Sequence, residues 1–508
     1  MACLSSLKVP AALAGLALCL ACGGGGGGGG VGGTAVPPPD VAVPGGVPRT
    51  VQGTSLVTNL PFNAVTGTIT PTAPAPAPLP ANAVSATLSD GSHAYPGAYN
   101  NADGTYSIPD VPTGYVWLKV GSDYIWTKSN SVNLGGLIPG RTGVAYATTS
   151  TWTNITLYNP ATWAADDYLV AYDFNSGLYL QPGGSINGSS YQGTVQWLGS
   201  GLPLIDTTQG DAPQFEQVES SSNGTAYLFW AGMAYQPASL TMTDGASATI
   251  TGNLSAIPQT ATVPMNYLRS QFVNYRGQYN PNGAYEWGPF LEFDSVPGAA
   301  AYGSVGPLLD GIWIEDSFPF NVTDVSMGMV AAPALAPGFE RVAMAGDAYV
   351  MLPILPGAST NWDVLVRGVM TYTLAPTDIS HPLQPLVSPP KNPAVNGLSL
   401  FSNQVGVGLT PTLSWTAPDL GTPQLFLVDV YQLSNVSGAT TGALVAQLYL
   451  DGTQTSMRMP LGILSSGNTY SVMISAYADS TYDPTSAPFQ AFHFPFGCAQ
   501  VFSGLITP

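Results

Sequence analysis

The chain has 508 residues, of which only 8% are charged while 45% are hydrophobic. Its 59 glycines and 46 prolines exclude a helical bundle, because glycine loses backbone entropy in a helix and proline removes a hydrogen-bond donor. The 29 acidic and 11 basic residues give a net charge of −18, without a cluster of Lys or Arg that could bind a polyanion, so we expect no nucleic-acid partner. At roughly 100 to 200 residues per domain, the length predicts about three or four domains.

The amino-terminal residues have the pattern of an exported and lipidated protein. Residues 9–22 form an apolar stretch of about 14 residues, which is shorter than the roughly 20 that a membrane-spanning helix needs. The tetrapeptide that ends Ala21-Cys22 resembles the cleavage box of bacterial lipoproteins. This resemblance implies a signal peptide at 1–21, a diacylglyceryl thioether and an N-terminal acyl chain on Cys22, and a lipid anchor in the cell outer membrane.

A flexible tether is expected after the lipid site. Glycine fills every position from 23 to 30, and a proline-rich stretch covers 37–48. Glycine-rich chains behave as random coils, and proline-rich chains act as extended spacers. We therefore expect residues 22–54 to hold the folded part away from the membrane.

Residues 55–141 show alternating strand patterns separated by turns, including Asp-Gly pairs at 90–91 and 103–104. The predicted strands are 65–69, 84–88, 106–108 and 116–120. Together with the run at 103–114, their order resembles the carboxypeptidase regulatory-like (transthyretin-like) domain. The resemblance implies a β-sandwich that serves as a spacer and carries no catalytic residue.

Residues 142–385 are predicted to form a β-rich middle region of one or two domains. The strand candidates include 154–157, 168–172, 225–230, 248–254, 348–352 and 364–373. One segment breaks the alternation, because its apolar residues are spaced by three, four and three: Met265, Leu268, Phe272 and Tyr275. With Pro264 suited to a first helical position, this spacing predicts a short amphipathic helix that ends near Gly277.

Residues 393–508 follow a Pro-rich linker at 386–392 and resemble a fibronectin type III domain. Trp415 stands in an alternating strand where that family has its core tryptophan. Leu464 and Tyr470 are six residues apart, as in the family's tyrosine corner, where the phenol hydroxyl bonds back to the chain. The resemblance implies a third β-sandwich.

Cysteine usage excludes an intramolecular disulfide in the mature chain. Cleavage of the signal peptide removes Cys3 and Cys19, and lipidation consumes Cys22. Only Cys498 then remains, and we expect it to be a small buried apolar residue.

The sequence carries few signs of catalytic chemistry. The three histidines are widely separated and lack paired metal ligands nearby: His93, His381 and His493. Neither a nucleophile elbow nor a phosphate-binding loop is present. We therefore expect no enzyme activity, no catalytic residue, no bound metal and no cofactor.

One group of carboxylates offers an alternative. The acidic residues stand among aromatic residues in the middle region: Glu286, Glu292, Asp294 and Glu315. On a strand, Glu292 and Asp294 would face the same side with their Cα atoms about 7 Å apart. Paired carboxylates flanked by aromatic rings can hydrolyse glycosides, so a surface glycoside hydrolase is the alternative function.

The expected fold is all-β, with several β-sandwich domains in tandem behind the lipidated tether and one short helix in the middle region. In a chain so poor in charge, 25 tyrosines and 10 tryptophans indicate exposed rings of the kind used in recognition. We therefore predict a bacterial cell-surface lipoprotein that acts as a binding, adhesion or scaffolding module. Its expected partners are the membrane, through the lipid anchor, and polysaccharide or other surface proteins. A structural subunit of an outer-membrane assembly is a further alternative.

Overall fold

The predicted all-β class is confirmed by the computed structural model, which is about 50% strand and 3% helix. The structure describes residues 42, 44–80, 82–197, 202–222, 226–283, 285–304, 309–316 and 323–508, with the backbone alone at 222, 226–228, 285–287, 309–316 and 327. The predicted signal peptide, Cys22 and most of the predicted tether lie outside these residues.

The first folded segment consists of short strands. They are β1 (Pro48–Thr54), β2 (Leu56–Leu60), β3 (Phe62–Asn63), β4 (Thr68–Ile69), β5 (Ala75–Pro76), β6 (Val84–Thr87), β7 (Ala94–Pro96), β8 (Ala98–Tyr99), β9 (Thr105–Pro112), β10 (Val116–Val120), β11 (Asp123–Thr127) and β12 (Gly136–Pro139). Four of them, β6, β7, β10 and β11, join a sheet shared with the rest of the chain. The predicted strands at 84–88, 106–108 and 116–120 correspond to β6, β9 and β10.

Two predictions for this segment are wrong. Residues 64–67 form a turn, in which the Asn63 side chain accepts hydrogen bonds from the backbone N–H groups of Val65 and Thr66, so only the end of the predicted strand 65–69 is extended. The predicted tether 22–54 also ends early, because β1 pairs antiparallel with β9 and buries Val51 completely.

The strands that open and close this segment lie side by side and run in the same direction. β12 pairs parallel with β2, from Val57 opposite Gly136 to Leu60 opposite Pro139. The residues before β12 continue the contact along β1, where Val132 donates its backbone N–H to the carbonyl oxygen of Gln52 at 3.0 Å. The first strands of the segment are therefore bonded directly to its last residues.

The middle region contains most of the long strands. They are β13 (Trp152–Tyr158), β14 (Tyr168–Asp173), β15 (Leu178–Leu180), β16 (Gly184–Asn187), β17 (Ser190–Gln196), β18 (Gln214–Ser222), β19 (Ala226–Tyr235), β20 (Ser247–Asn253), β21 (Ser255–Ala256), β22 (Ala261–Tyr267), β23 (Tyr285–Pro297), β24 (Leu309–Asp316), β25 (Val325–Ala332), β26 (Phe339–Met351) and β27 (Val364–Leu374). Helical segments are α1 (Arg269–Val273), α2 (Ala299–Tyr302) and the 3₁₀ turns Thr207–Gln209 and Arg276–Gln278.

The helix predicted from Pro264 begins later, at Arg269. Pro264 and Met265 belong to β22, which pairs antiparallel with β25. The residues of this stretch fit the alternation of a strand as well as the spacing of a helix, since Met265 and Tyr267, two positions apart, are both fully buried on the strand. Pairing with a distant strand therefore overrides the local helical pattern, and only the second half of the predicted segment is helical.

A buried ion pair holds the end of this helical segment on the sheet. The Arg276 guanidinium donates to both carboxylate oxygens of Asp347, at 3.0 and 2.7 Å, and Asp347 is fully buried. The Tyr279 hydroxyl donates to the same carboxylate at 3.0 Å, and its ring stacks on Tyr349 with centroids 4.8 Å apart. These contacts fix the 3₁₀ turn after α1 against β26.

The carboxyl-terminal segment is also built of strands. They are β28 (Lys391–Val395), β29 (Leu398–Ser399), β30 (Gln404–Val405), β31 (Thr412–Thr416), β32 (Leu425–Val436), β33 (Ala439–Asp451), β34 (Ser456–Arg458), β35 (Thr469–Ala478), β36 (Phe496–Phe502) and β37 (Ile506–Thr507). Trp415 is 5% exposed and packs edge-on against Phe426. The Tyr470 hydroxyl accepts the backbone N–H of Ser465 at 3.0 Å, so the expected bond back to the chain is present. Cys498 is fully buried, as predicted.

One hydrogen-bonded sheet crosses the predicted unit boundaries. Its strands follow the path β7-β6-β10-β11-β33-β32-β35-β36-β27-β26-β23-β24-β19-β18-β14-β15. The junction of β11 with β33 is parallel, from Asp123 opposite Gln447, whereas β27 joins β36 antiparallel. In this sheet the carboxyl-terminal strands therefore lie between those of the first segment and those of the middle region.

The hydrophobic cores follow the same arrangement. The largest core joins Trp117 and Trp126 of the first segment to Phe293 of the middle region and to Val428 and Phe502 of the last segment. The predicted linker 386–392 is part of this packing, because Val387 and Ser388 in it are fully buried. A separate core lies wholly within the middle region and supports the surface described next.

Candidate functional site

The candidate site is one face of a four-stranded sheet in the middle region. Its strand order is β16-β17-β13-β20. β17 is antiparallel to β13, and β20 is parallel to β13 over seven residue pairs, from Trp152 opposite Ser247 to Tyr158 opposite Asn253. The pairing brings the two predicted strands at 154–157 and 248–254 side by side.

The inner face of this sheet is apolar and covered. Ile155, Leu157, Tyr191 and Ile250 are at most 4% exposed and belong to the middle-region core, where they meet side chains of β14, β15 and β18. Burial of these side chains stabilises the sheet and fixes its register, since a one-residue slip would turn every one of them to solvent.

The outer face is polar and carries no charge. Its rows across the strands are Gln196-Trp152-Ser247, Thr194-Asn154-Thr249, Gln192-Thr156-Thr251 and Ser190-Tyr158-Asn253. None of the residues in the four strands is Asp, Glu, Lys, Arg or His. We call this set of rows the outer face. It offers hydroxyl and amide groups in a regular array.

Two aromatic side chains stand at opposite ends of the outer face on the central strand β13. Trp152 is 40% exposed and Tyr158 is 42% exposed. They are six positions apart on the strand, which corresponds to about 20 Å at a rise of about 3.4 Å per residue. The indole N–H of Trp152 donates to the Ser150 hydroxyl at 2.9 Å, which restrains one of the two rings.

Several polar groups of the outer face bond to one another. The Thr194 hydroxyl donates to the Asn154 side-chain oxygen at 3.3 Å, across β17 and β13. The Asn159 amide donates to the side-chain oxygen of Asn253 at 3.1 Å, beside Tyr158. Such cross-strand bonds preorganise the face before a ligand arrives.

A carboxylate lies near the Trp152 end, in the turn before β20. Asp244 accepts hydrogen bonds from the hydroxyl and the backbone N–H of Thr148 and of Thr149. These bonds, led by that from the Thr148 hydroxyl, hold the pKa of Asp244 below its ordinary value. The carboxylate is thus engaged in joining two loops.

The carboxylates of the alternative hydrolase function lie elsewhere, on β23. Glu292 and Asp294 face the same side of the strand as predicted, opposite Met344 and Val342 of β26. Burial raises the pKa of Glu292, while a hydrogen bond with Asp294 and the charge of Arg367 lower it. Asp294 is fully buried. The side chains of Glu286 and Glu315 lie outside the described residues, so the predicted group of four stays a prediction.

Two further acidic residues, Asp103 and Asp167, are engaged in hydrogen bonds with hydroxyl and backbone N–H groups. Asp103 accepts the backbone N–H and the hydroxyl of Thr105, at 2.9 and 2.7 Å. Asp167 accepts the backbone N–H and the hydroxyl of Ser220, at 2.9 and 2.8 Å. Over the described ranges, no three His, Cys, Asp or Glu side chains come together to hold a metal ion. No helix within those ranges has the length and apolar character to cross a bilayer.

Sequence reasoning identified strands of this sheet but missed the outer face. The available signal was the absence of charge from three alternating segments, β13, β17 and β20, in a chain with 29 acidic residues. Their adjacency could not be read locally, because β13 and β20 pair in parallel although more than 80 residues lie between them in the chain.

Comparisons with known proteins assign no family to the chain. No family model matches it, and no curated protein matches it. One solved structure, described as the structure of the streptococcal ancillary pilin, aligns with 67% of this chain and 98% of its own at 9% identity, with a TM-score of 0.11. A TM-score this low carries no argument about fold or function.

Proposed function

We propose that the protein is a lipid-anchored bacterial surface protein that binds glycan through the outer face. The observation that carries the proposal is a preorganised, uncharged sheet face with two exposed aromatic rings. The lipoprotein-like cleavage box at Cys22 and the glycine-rich run after it support the proposed attachment to the outer membrane, with the folded part held away from the lipid.

The chemistry of the outer face suits a polymer rich in hydroxyl groups. Amide and hydroxyl side chains can both donate and accept hydrogen bonds, so Asn154 and Thr156 can match sugar hydroxyls of either orientation. Exposed Trp and Tyr rings provide large apolar contact area beside polar groups. Binding here desolvates no charged side chain of the four strands, which keeps the cost of burying the face low.

Binding assays with substituted full-length protein test the proposal. Trp152→Ala and Tyr158→Ala should each weaken adsorption to polysaccharide at least about ten-fold, because buried aromatic anchors typically contribute more than about 1.4 kcal/mol. The matched control is Tyr146→Ala, since Tyr146 is equally exposed, at 44%, but lies outside the four strands. Equal adsorption of all variants would reject the outer face as the binding surface.

The anchor is tested separately by mass spectrometry. We expect the mature chain to begin at Cys22 with acyl chains on that residue. In a Cys22→Ser variant, the unprocessed protein should leave the outer-membrane fraction. An unmodified terminus in the wild-type protein would reject the lipid anchor without affecting the binding experiment.

A further inference from the structure

We infer that the ligand of the outer face is an uncharged, extended polysaccharide that lies along β13 and contacts Trp152 and Tyr158 at the same time. This inference rests on the proposed function and specifies its ligand class. It follows from three features of the outer face: the spacing of the rings, the polar surface between them, and the absence of charge.

The spacing of the two rings sets a minimum ligand length. Trp152 and Tyr158 are on the same side of one strand and about 20 Å apart along it. A mono- or disaccharide can contact only one ring at a time. A chain longer than about 20 Å can contact both, and its second contact then becomes intramolecular, which raises the overall affinity without any new kind of bond.

The surface between the rings can follow an extended chain. Asn154 and Thr156 lie between them on β13, and both face the same side as the rings. Thr249 and Thr251 of β20 lie beside these two residues in register. Because the strands are hydrogen-bonded along this whole length, the side chains of the face are held in one continuous row, which suits an extended polymer better than a compact ligand.

The charge distribution selects against acidic polymers. The four strands contain no cation that could pair with a carboxylate or sulfate group. The whole chain carries a net charge of −18, so it repels polyanions at a distance. An acidic polysaccharide would therefore lose its hydration on this face without gaining an ion pair.

The test measures binding against ligand length. Full-length protein is titrated with size-fractionated oligosaccharides of neutral glucan, xylan, mannan and chitin, and with carboxymethylated glucan. For at least one neutral series, oligomers longer than about 20 Å should bind at least about ten-fold more tightly than those shorter than about 10 Å. Carboxymethylated glucan should bind more weakly than its neutral parent.

Single-ring variants complete the test. Trp152→Ala and Tyr158→Ala should each reduce the affinity for long oligomers to that of short ones, whereas Tyr146→Ala should keep the length dependence. If both ring variants weaken binding but length has no effect, the proposed function stands and the two-ring ligand is rejected. Tighter binding of the carboxymethylated polymer rejects the neutral class. If none of the neutral series binds, both proposals fail.

Discussion

The β10–β11 hairpin and strand β13 both carry tryptophan and tyrosine side chains, but the tryptophans of the hairpin are buried and the rings of β13 are exposed. In the hairpin, Trp117 and Trp126 are 1% and 3% exposed, with ring centroids 4.9 Å apart, and they pack into the core shared with the carboxyl-terminal segment. On β13, Trp152 and Tyr158 are about 40% exposed. Aromatic content alone therefore does not indicate whether a strand supports a core or an exposed face.

The side chains around the rings distinguish the two cases. In β10 the alternate positions Val116 and Leu118 are apolar and fully buried in a second core, so both faces of the hairpin are covered. In β13 the positions between the rings are Asn154 and Thr156, and only the opposite face is apolar. Polar residues at i±2 from an aromatic residue thus mark an exposed face of a strand.

Removing a ring from the covered hairpin should produce the largest effect. Trp117→Ala is expected to lower the free energy of unfolding by about 3–5 kcal/mol, because the substitution leaves a cavity among buried side chains. Chemical denaturation measures this loss. Trp117→Phe should cost clearly less, because its phenyl ring leaves a smaller cavity, and the indole N–H that is lost has no hydrogen-bond partner among the described residues. A loss below about 1 kcal/mol for the alanine variant would contradict the covered position.

The junction of β11 with β33, where Asp123 lies opposite Gln447, should make the free energy of unfolding depend on pH. Burial, followed by the negative charge of Asp429, raises the pKa of Asp123 from 3.8 to about 7. Between these pH values the folded protein holds a proton that the unfolded chain has lost, so stability falls as pH rises from about 4 to about 7, with a slope of up to about 1.4 kcal/mol per pH unit from this group. Above pH 7 this destabilisation is constant.

Asp123→Asn tests that dependence. Urea unfolding should be measured for the wild-type protein and the variant between pH 4 and 8. As the pH rises, the variant should become more stable relative to the wild-type protein, because its amide has no proton to lose. The neighbouring Gln447 donates to Asp429 at 2.8 Å and gives a matched control, because Gln447→Glu adds a third carboxylate and should steepen the fall. Parallel stability curves for the wild-type protein and the amide variant would contradict the assignment.

The carboxyl-terminal segment that covers the hairpin offers a smaller test. Tyr470→Phe removes only the hydroxyl that accepts the backbone N–H of Ser465. We expect a loss of about 1 kcal/mol in the free energy of unfolding, as for a typical hydrogen bond. Thermal unfolding checks this value. Tyr482→Phe should also cost stability, because the Tyr482 hydroxyl likewise bonds to a backbone group, the carbonyl of Pro488. A loss close to zero would mean that water replaces the bond at no cost.

Removal of the exposed Trp152 ring of β13 should have the smallest effect on stability. Trp152→Ala is expected to change the free energy of unfolding by less than about 0.5 kcal/mol, as for surface substitutions. The measurement is the same denaturation as for Trp117→Ala, so the two variants compare the same substitution in a covered and an uncovered strand. A loss above about 2 kcal/mol would show that the ring is part of the packing and would remove the basis for the outer face.

The sequence was sufficient for the strand content and for individual local features. Alternation located β6, β10 and β31, and the spacing of Leu464 and Tyr470 predicted a hydroxyl that bonds back to the chain. These features depend on neighbouring residues only. The segment from Pro264 shows the limit, because its residues satisfy both the helical and the strand period, and the distant strand β25 decides between them.

The order of segments in the sheet and the outer face were not predictable in this way. The pairing of Asp123 with Gln447 joins residues more than 300 positions apart. Likewise, β20 contributes to the outer face only because it pairs directly with β13, although other strands lie between the two in the sequence. Both depend on tertiary contacts that leave no periodic signal in a single sequence. Among the predicted carboxylates, Glu292 and Asp294 share a strand face, as their spacing alone requires.

The parallel contact between the start and the end of the first segment has a mechanical consequence. A pull between the residues before β1 and the outer face would draw β2 and β12 in opposite directions along their common axis. Their backbone hydrogen bonds, together with that from Gly140 to Leu60, are then loaded in shear and have to break together instead of one after another. In the proposed tethered, ligand-bound protein, this contact would lie between the anchor and the binding surface, where drag would stretch the chain.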